Sequence, residues 1–279
     1  MIDLHMHSIF SDGTFTPEEL IAHGKKIGLK AMALTDHDTT GGVPRFLAAA
    51  AAEGMKAITG VEVSADPPSG TMHVLGYCVD VTDADFNRHL EWIRAGREER
   101  NTEILQKLNQ LGMRITMEEV AAKAGGDIVA RPHFSQVMIE KGYVKDKKEA
   151  FDRYLARGKP AYCERRRLGP EETIELIRRA KGVPTIAHPF SLKLSNVELR
   201  ALLKTLADYG LLGLECYYTE HSGDMVKTYV KMAEEFGLIA TGGSDFHGAV
   251  SPNTRMGTGF GNLSVPDDVV DRIEAARPK

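Results

Sequence analysis

The chain lacks any excess of basic charge. Lys and Arg total 35 against 39 Asp and Glu, a net charge of −4 with the ten histidines counted neutral. That balance weighs against tight, non-specific nucleic-acid binding, while leaving room for a small nucleotide held by a local cluster. Cysteine is scarce: Cys78, Cys163 and Cys216 are odd in number and far apart. A disulfide framework is not expected, and a reducing, cytoplasmic location is. No long apolar run exists. The longest, residues 46–52, falls far short of the ~20 residues that span a bilayer. The first five residues, Met-Ile-Asp-Leu-His, show neither a basic leader nor an apolar signal core, so membrane and secreted classes are set aside. What remains is ordinary for a globular protein. A hydrophobic content of 42% and a charged content of 27% exclude bulk disorder and fibrous architectures, and 279 residues suit one large domain or two modest ones.

Short apolar runs alternate with helical patterns over the first eighty residues. Residues 2–4, 31–35, 57–63 and 72–77 read as strands. A helix opens at Thr16-Pro17-Glu18-Glu19 with a capping box, and another covers 43–53. From about 83 to 159 the pattern is helical, with segments at 91–111, 117 onward, 132–141 and 147–155. The stripe Ile104, Leu105, Leu108 and Leu111 reads as packing. Alternation then resumes, with strands at 183–187, 213–216 and 238–241 between helices at 171–180, 196–209 and 224–236, and a closing helix at 265–277. The expected fold is α/β: seven strands in a parallel sheet curled into a distorted (β/α)7 barrel. Residues 1–82 and 160–279 would form the barrel, and 83–159 a helical insertion between strands four and five.

Such barrels collect their chemistry at the C-terminal ends of the strands, and the polar residues of this chain sit where that rule predicts. His5 and His7 end strand one, Ser11-Asp12-Gly13 follows, and Asp36-His37-Asp38 ends strand two. Glu62 closes strand three, His73 lies in strand four, His188 ends strand five, and Asp245 and His247 follow strand seven. Residues i and i+2 of a strand point the same way, so His5 and His7 are placed to grip one ion. Six imidazoles and three carboxylates without a thiolate suit Mn²⁺, Fe²⁺ or Zn²⁺. Gathering them in a core for packing alone would be costly.

His5-x-His7-Ser8 with Ser11-Asp12-Gly13, Thr35-Asp36-His37-Asp38-Thr39, Gly60-Val61-Glu62, His73, Ala187-His188-Pro189 and Gly243-Ser244-Asp245-Phe246-His247, in this order, resemble the polymerase-and-histidinol-phosphatase (PHP) family. The resemblance implies three divalent ions per chain, with Mn²⁺ the first choice. His5, His7, Glu62 and Asp245 would hold the first, Glu62, His73 and His188 the second, and Asp12, His37 and His247 the third. His5, His7, Glu62, His188 and Asp245 form the expected catalytic set. Asp36 and Asp38 are expected to orient His37 or nearby backbone. The implied reaction is phosphoester hydrolysis by metal-activated hydroxide, without a phosphoenzyme.

Within the family the pattern looks most like enzymes of nucleoside 3′,5′-bisphosphates, releasing the 3′-phosphate to give the 5′-monophosphate, and of the 5′ ends of short RNA. The expected partners are therefore a small phosphorylated nucleotide or short 5′-phosphorylated RNA, with no membrane and no stable protein partner. Substrate contacts are assigned to Arg131 and His133 at a helix start, to Lys193, and to His221. Tyr217 and Phe134 are considered for stacking on a base, although such aromatics more often fill core or rim. The run Arg165-Arg166-Arg167 reads as a solvated face, and His23 and His89 as surface residues. Alternatives are a histidinol-phosphate-type phosphatase, a metal-dependent amidohydrolase, for which no strand-end lysine is apparent, and an inactive metal-binding module.

Overall fold

The computed structural model describes residues 1–124 and 128–278. The expected ranges 83–159 and 160–279 also take in 125–127 and 279, which lie outside the described residues. Residues 1–7 run extended and lead to α1 (Pro17–Lys26), β1 (Ala31–Ala33), α2 (Val43–Glu53), β2 (Lys56–Ile58), β3 (Glu62–Ala65) and β4 (Met72–Tyr77). Four helices follow: α3 (Ala84–Gln110), α4 (Met117–Ala121), α5 (Arg131–Glu140) and α6 (Lys147–Ala150), the last running into a π turn at Phe151–Leu155. Then come α7 (Pro170–Arg179), β5 (Val183–Ile186), α8 (Asn196–Asp208), β6 (Gly213–Tyr218), α9 (Gly223–Glu235), β7 (Ile239–Gly243) and α10 (Val269–Ala275). Capping boxes start several of these helices. Thr16, Thr116 and Ser195 each accept a backbone N–H from Glu19, Glu119 and Glu198, whose carboxylates return to the cap.

The sheet is mixed, which corrects the expected parallel arrangement. Strands β3-β4-β5-β6-β7 form one sheet, and β1-β2 form a separate parallel pair. The β3/β4 and β4/β5 pairings are antiparallel, while β5/β6 and β6/β7 are parallel. Only residues 66–71, with Pro67, Pro68 and Gly70 among them, join β3 to β4. That is too short for the crossover a parallel pair requires. The strand expected at 57–63 is also divided. A Cβ at Gly60 would lie 2.5 Å from the Leu34 carbonyl oxygen, so the break between β2 and β3 falls where two backbones approach closely.

Residues 2–4 do not form a full strand. The N-terminal segment touches its neighbours through isolated bridges, Asp3 with Met32 and Met6 with Phe246. Side chains take some of the remaining rungs: Met6 N–H donates to Thr35 Oγ1 at 3.1 Å and Ser244 N–H to Asp3 Oδ1 at 2.8 Å. Among the described residues no continuous ladder closes a barrel. Helices α3 to α6 lie between β4 and β5 in the chain and share a core of their own, including Ile104, Leu108, Phe134 and Met138. The first turns of α3 instead place Phe86, Leu90 and Ile93 in the core shared with β3 and β4. No described helix is long and apolar enough to cross a membrane.

Candidate metal centre and anion cleft

The structure gathers all nine expected ligands around Glu62. Its carboxylate is 1% exposed. Oε1 lies 2.8 Å from His73 Nδ1 and 2.9 Å from His188 Nε2. Oε2 lies 2.8 Å from His37 Nδ1, 3.4 Å from His7 Nε2 and 3.6 Å from His5 Nε2. Asp245 Oδ1 faces His7 Nε2 at 3.0 Å and His5 Nε2 at 3.3 Å, and Asp12 Oδ1 faces His247 Nε2 at 3.2 Å. Glu62 begins β3 and, with His73 on β4, enters on the antiparallel β3–β4 hairpin, while a parallel bridge between Glu62 and His37 ties it to the segment that follows β1.

Three sets of donor atoms could each hold an ion: His7, Asp12, His37 and His247; His5, His7 and Asp245; and His37, Glu62 and His73. The grouping differs in detail from the expected one, since His7 joins the Asp12 set and His37 joins the Glu62–His73 set. The donors fit a cation. His5 Nε2, His7 Nε2, Asp12 Oδ1, His37 Nδ1 and Glu62 Oε2 are buried without a hydrogen-bond partner among the described residues. Orphaned buried polar atoms are rare unless something else satisfies them.

Neighbouring groups set the imidazole tautomers. His5 Nδ1 donates to Glu215 Oε1 at 2.9 Å, and His247 Nδ1 to the Asp245 carbonyl at 2.8 Å, which turns each Nε2 toward the carboxylates of the cluster. Glu215 also accepts the His188 backbone N–H at 2.6 Å. Its signal in the sequence is faint, an acid among apolar residues in Gly213-Leu214-Glu215-Cys216. Of the two expected roles, Asp36 takes the support of nearby backbone and not of the His37 ring. It accepts from Ser8 N–H at 2.7 Å and from the Ser8 and Ser11 hydroxyls, each at 2.6 Å, and Ser11 Oγ lies 3.3 Å from His7 Nδ1. It therefore braces the loop under His7.

Burial alone would raise the Glu62 carboxyl, but the imidazoles of His37, His73 and His5 hold it well below the usual range. Asp245 is likewise held low against burial by His5 and His247. Burial and the neighbouring His247 pull His7 down to about 4, so it is neutral and ready to bind. Burial opposes charge on His247 as well, yet Asp245 and Asp12 push it up to about 10. Asp38, His188 and Asp245 all sit at positive φ (53°, 26° and 56°), backbone strain of a kind that concentrates at functional sites. Gly243 has no room for a side chain, because a Cβ would lie 2.3 Å from the His5 backbone nitrogen. That close approach seats His5 against β7.

Beside this cluster opens a cleft of about 390 Å³ lined by Asp12, His37 and His73 together with Arg97, Arg100, Arg131, Arg165 and Arg167. The solvated-face reading of residues 165–167 is thus overturned for two of the three. The segment is extended and reaches a bridge between Leu168 and Ala65, so alternate side chains point opposite ways. Arg165 and Arg167 face the cleft, while Arg166 turns outward to pair with Glu99 and lie over the Trp92 ring. Burial and the guanidiniums of Arg97 and Arg131 pull Arg100 down to about 9. Arg97 donates to Asp38 Oδ2 at 2.7 Å, and the same carboxylate accepts Ser64 N–H at 2.7 Å.

The expected substrate residues separate. Arg131 lines the cleft, with its guanidinium over the Tyr162 ring. His133 is half-buried, and its Nδ1 accepts the Ala130 N–H at 3.0 Å, capping α5. Lys193 is exposed and His221 is buried; neither lines the cleft. Phe134 is fully buried in the core of the insertion helices, Tyr217 is partly buried against the sheet's core, and neither lines the cleft. Among the described residues no lysine lines the cleft.

A family model described as the PHP domain matches residues 3–159, running through the helices of the expected insertion. The chain belongs to the PHP domain family. Membership makes it a hydrolase of phosphoric esters. A 3′,5′-nucleoside bisphosphate phosphatase of Chromobacterium violaceum is 34% identical, covering 88% of this chain and 87% of its own. A 5′-3′ exoribonuclease of Haemophilus influenzae is also 34% identical, covering 88% and 89%. A solved structure described as an amidohydrolase from Chromobacterium violaceum, holding sulfate and no metal, superposes with a TM-score of 0.84 at 32% identity, over 100% of this chain and 98% of that one. A second, described as a metal-dependent phosphoesterase from Bifidobacterium adolescentis, gives 0.80 at 27% identity, over 100% and 96%.

Proposed function

We propose that this phosphoesterase cleaves a small nucleotide bearing two phosphoryl groups, a nucleoside 3′,5′-bisphosphate, releasing the 3′-phosphate and leaving the 5′-monophosphate. Short 5′-phosphorylated RNA is the second substrate of the same site. The observation that carries this reading is the shared lining of one cleft, in which metal-type donors stand beside five arginines. Arg97 is already paired with Asp38 and Arg167 with Asp66, so a single phosphoryl group at the donors would leave Arg100, Arg131 and Arg165 without an anionic partner, and a second anionic group matches them. The names of the two relatives support the same substrate class.

His5, His7, Asp12, His37, Glu62, His73, His188, Asp245 and His247 would hold the ions, three by our reading, with Mn²⁺ favoured and Fe²⁺ or Zn²⁺ compatible with the donors. Bound there, such ions supply a water deprotonated near neutral pH and neutralise charge on the phosphoryl oxygens. The chain's own groups prepare the rest. Glu215 and the Asp245 carbonyl fix the rings of His5 and His247. Arg131, Arg165 and Arg167 orient the remote phosphate, in a cleft that Pro67, Gly70, Thr71 and His73 also line. The isolated bridges of residues 1–7 support reading the strands as a distorted, incompletely laddered seven-stranded barrel, with 83–159 as its substrate-facing insertion.

Mn²⁺-loaded protein assayed against adenosine 3′,5′-bisphosphate, adenosine monophosphates, short 5′-phosphorylated RNA and histidinol phosphate tests this. The bisphosphate is expected to exceed the monophosphates in kcat/KM by about tenfold or more, the worth of one charge-assisted contact. Efficient turnover of histidinol phosphate alone would overturn the nucleotide reading. Arg131→Ala should raise KM for the bisphosphate by about 10–100-fold with kcat little changed. An unaltered KM in steady-state kinetics would remove Arg131 from the site.

A further inference from the structure

Strand β6 carries an irregularity next to the metal centre. Its register with β7 runs from Gly213 opposite Ile239 to Glu215 opposite Thr241, then resumes with Tyr217 opposite Gly242. Cys216 is therefore an extra residue, a β-bulge. In a regular strand, side chains three positions apart face opposite sides. The extra residue shifts that parity and turns Glu215 and Tyr218 to the same face. Glu215 takes His5 Nδ1 at 2.9 Å, and the Tyr218 hydroxyl donates to Asp245 Oδ2 at 2.8 Å. The Cys216 side chain packs away from them, into the apolar core.

The bulge is latched from behind. The Cys216 carbonyl accepts a hydrogen bond from His221 Nδ1 at 2.9 Å. A carbonyl only accepts, so the proton of His221 sits on Nδ1. The ring is 1% exposed and lies 5.1 Å from Tyr218 and 4.9 Å from Tyr229, centroid to centroid. His221, expected at a substrate pocket, instead backs the tyrosine that faces the centre.

We propose that Tyr218, set by the Cys216 bulge and the His221 latch, is a positioning residue for the metal centre. Asp245 follows β7 at positive φ, its side chain 20% exposed, with Oδ1 among the His5 and His7 rings and Oδ2 on Tyr218. Fixing Oδ2 keeps Oδ1 turned toward His5 and His7, while Glu215 on the same face fixes the His5 ring. The inference rests on His5, His7 and Asp245 being ion ligands.

Tyr218→Phe removes one oxygen and keeps the ring contacts. Its thermal midpoint without metal should equal that of the parent protein. Titration with Mn²⁺ and with Co²⁺ should show about 10–100-fold weaker binding of at least one ion, and the visible spectrum of the Co²⁺ form should change. His221→Phe, which breaks the latch, should shift the same spectrum in the same direction; if it fails to fold, Tyr218→Phe decides the matter alone. Parent protein that binds ions while Tyr218→Phe matches it in affinity and spectrum would overturn the positioning role. Loss of turnover with ions and spectrum intact would overturn it too, placing Tyr218 on the substrate. Parent protein that takes up no divalent ion would sink the metal-centre reading itself.

Discussion

Glu62→Gln is expected to lower turnover at least about 10³-fold and to strip the centre of ions. The side chain keeps its shape, so the loss isolates the charge. One buried carboxylate stands within 2.8–3.6 Å of five imidazoles, those of His5, His7, His37, His73 and His188. A neutral amide turns N–H donors toward some of those rings and offers a cation far less attraction. Elemental analysis of metal-loaded variant protein, alongside its kcat, provides the check. Ion content and turnover within about tenfold of the parent would contradict the central place given to Glu62.

Asp38→Ala should cost about 3–5 kcal/mol of folding stability, the usual penalty for removing one partner of a buried ion pair. Asp38 is fully buried, and Arg97, 11% exposed, donates to it. The Ser64 backbone N–H loses its acceptor as well. Burial alone would raise this carboxyl, but Arg97 and Arg165 draw it down from 3.8 to about 2. Because the folded value is depressed, the stabilisation is complete above about pH 4 and fades as pH falls through about 2. Urea unfolding of both proteins across that acid range should show the gap narrowing toward low pH. A gap that widened on acidification would refute the pairing.

The metal-type cluster was legible because ligand chemistry resides in residue identity, and histidines and acids recur at strand ends whatever the strands' direction. Direction was less legible. Alternating strand and helix patterns suggest crossovers, and only the paired register shows that β3 and β4 run antiparallel and that Glu62 begins its strand. The arginines are hard to read for a different reason. A run of three cations looks uniform in one dimension, while an extended backbone sends Arg165 and Arg167 one way and Arg166 the other. Glu215, Tyr218 and His221 depend on a bulge, and one extra residue leaves no mark in a hydrophobicity pattern.

Helix α3 runs 27 residues, about 40 Å at 1.5 Å per residue. Phe86, Leu90 and Ile93 anchor one end in the sheet's core, and Ile104 and Leu108 anchor the other among the insertion helices. Arg97 and Arg100 ride between the two anchorages, like fittings on a beam clamped at both ends. Neither body can tilt without carrying those two guanidiniums along, so the spacing between cleft charge and carboxylate cluster is a property of the whole molecule's stiffness.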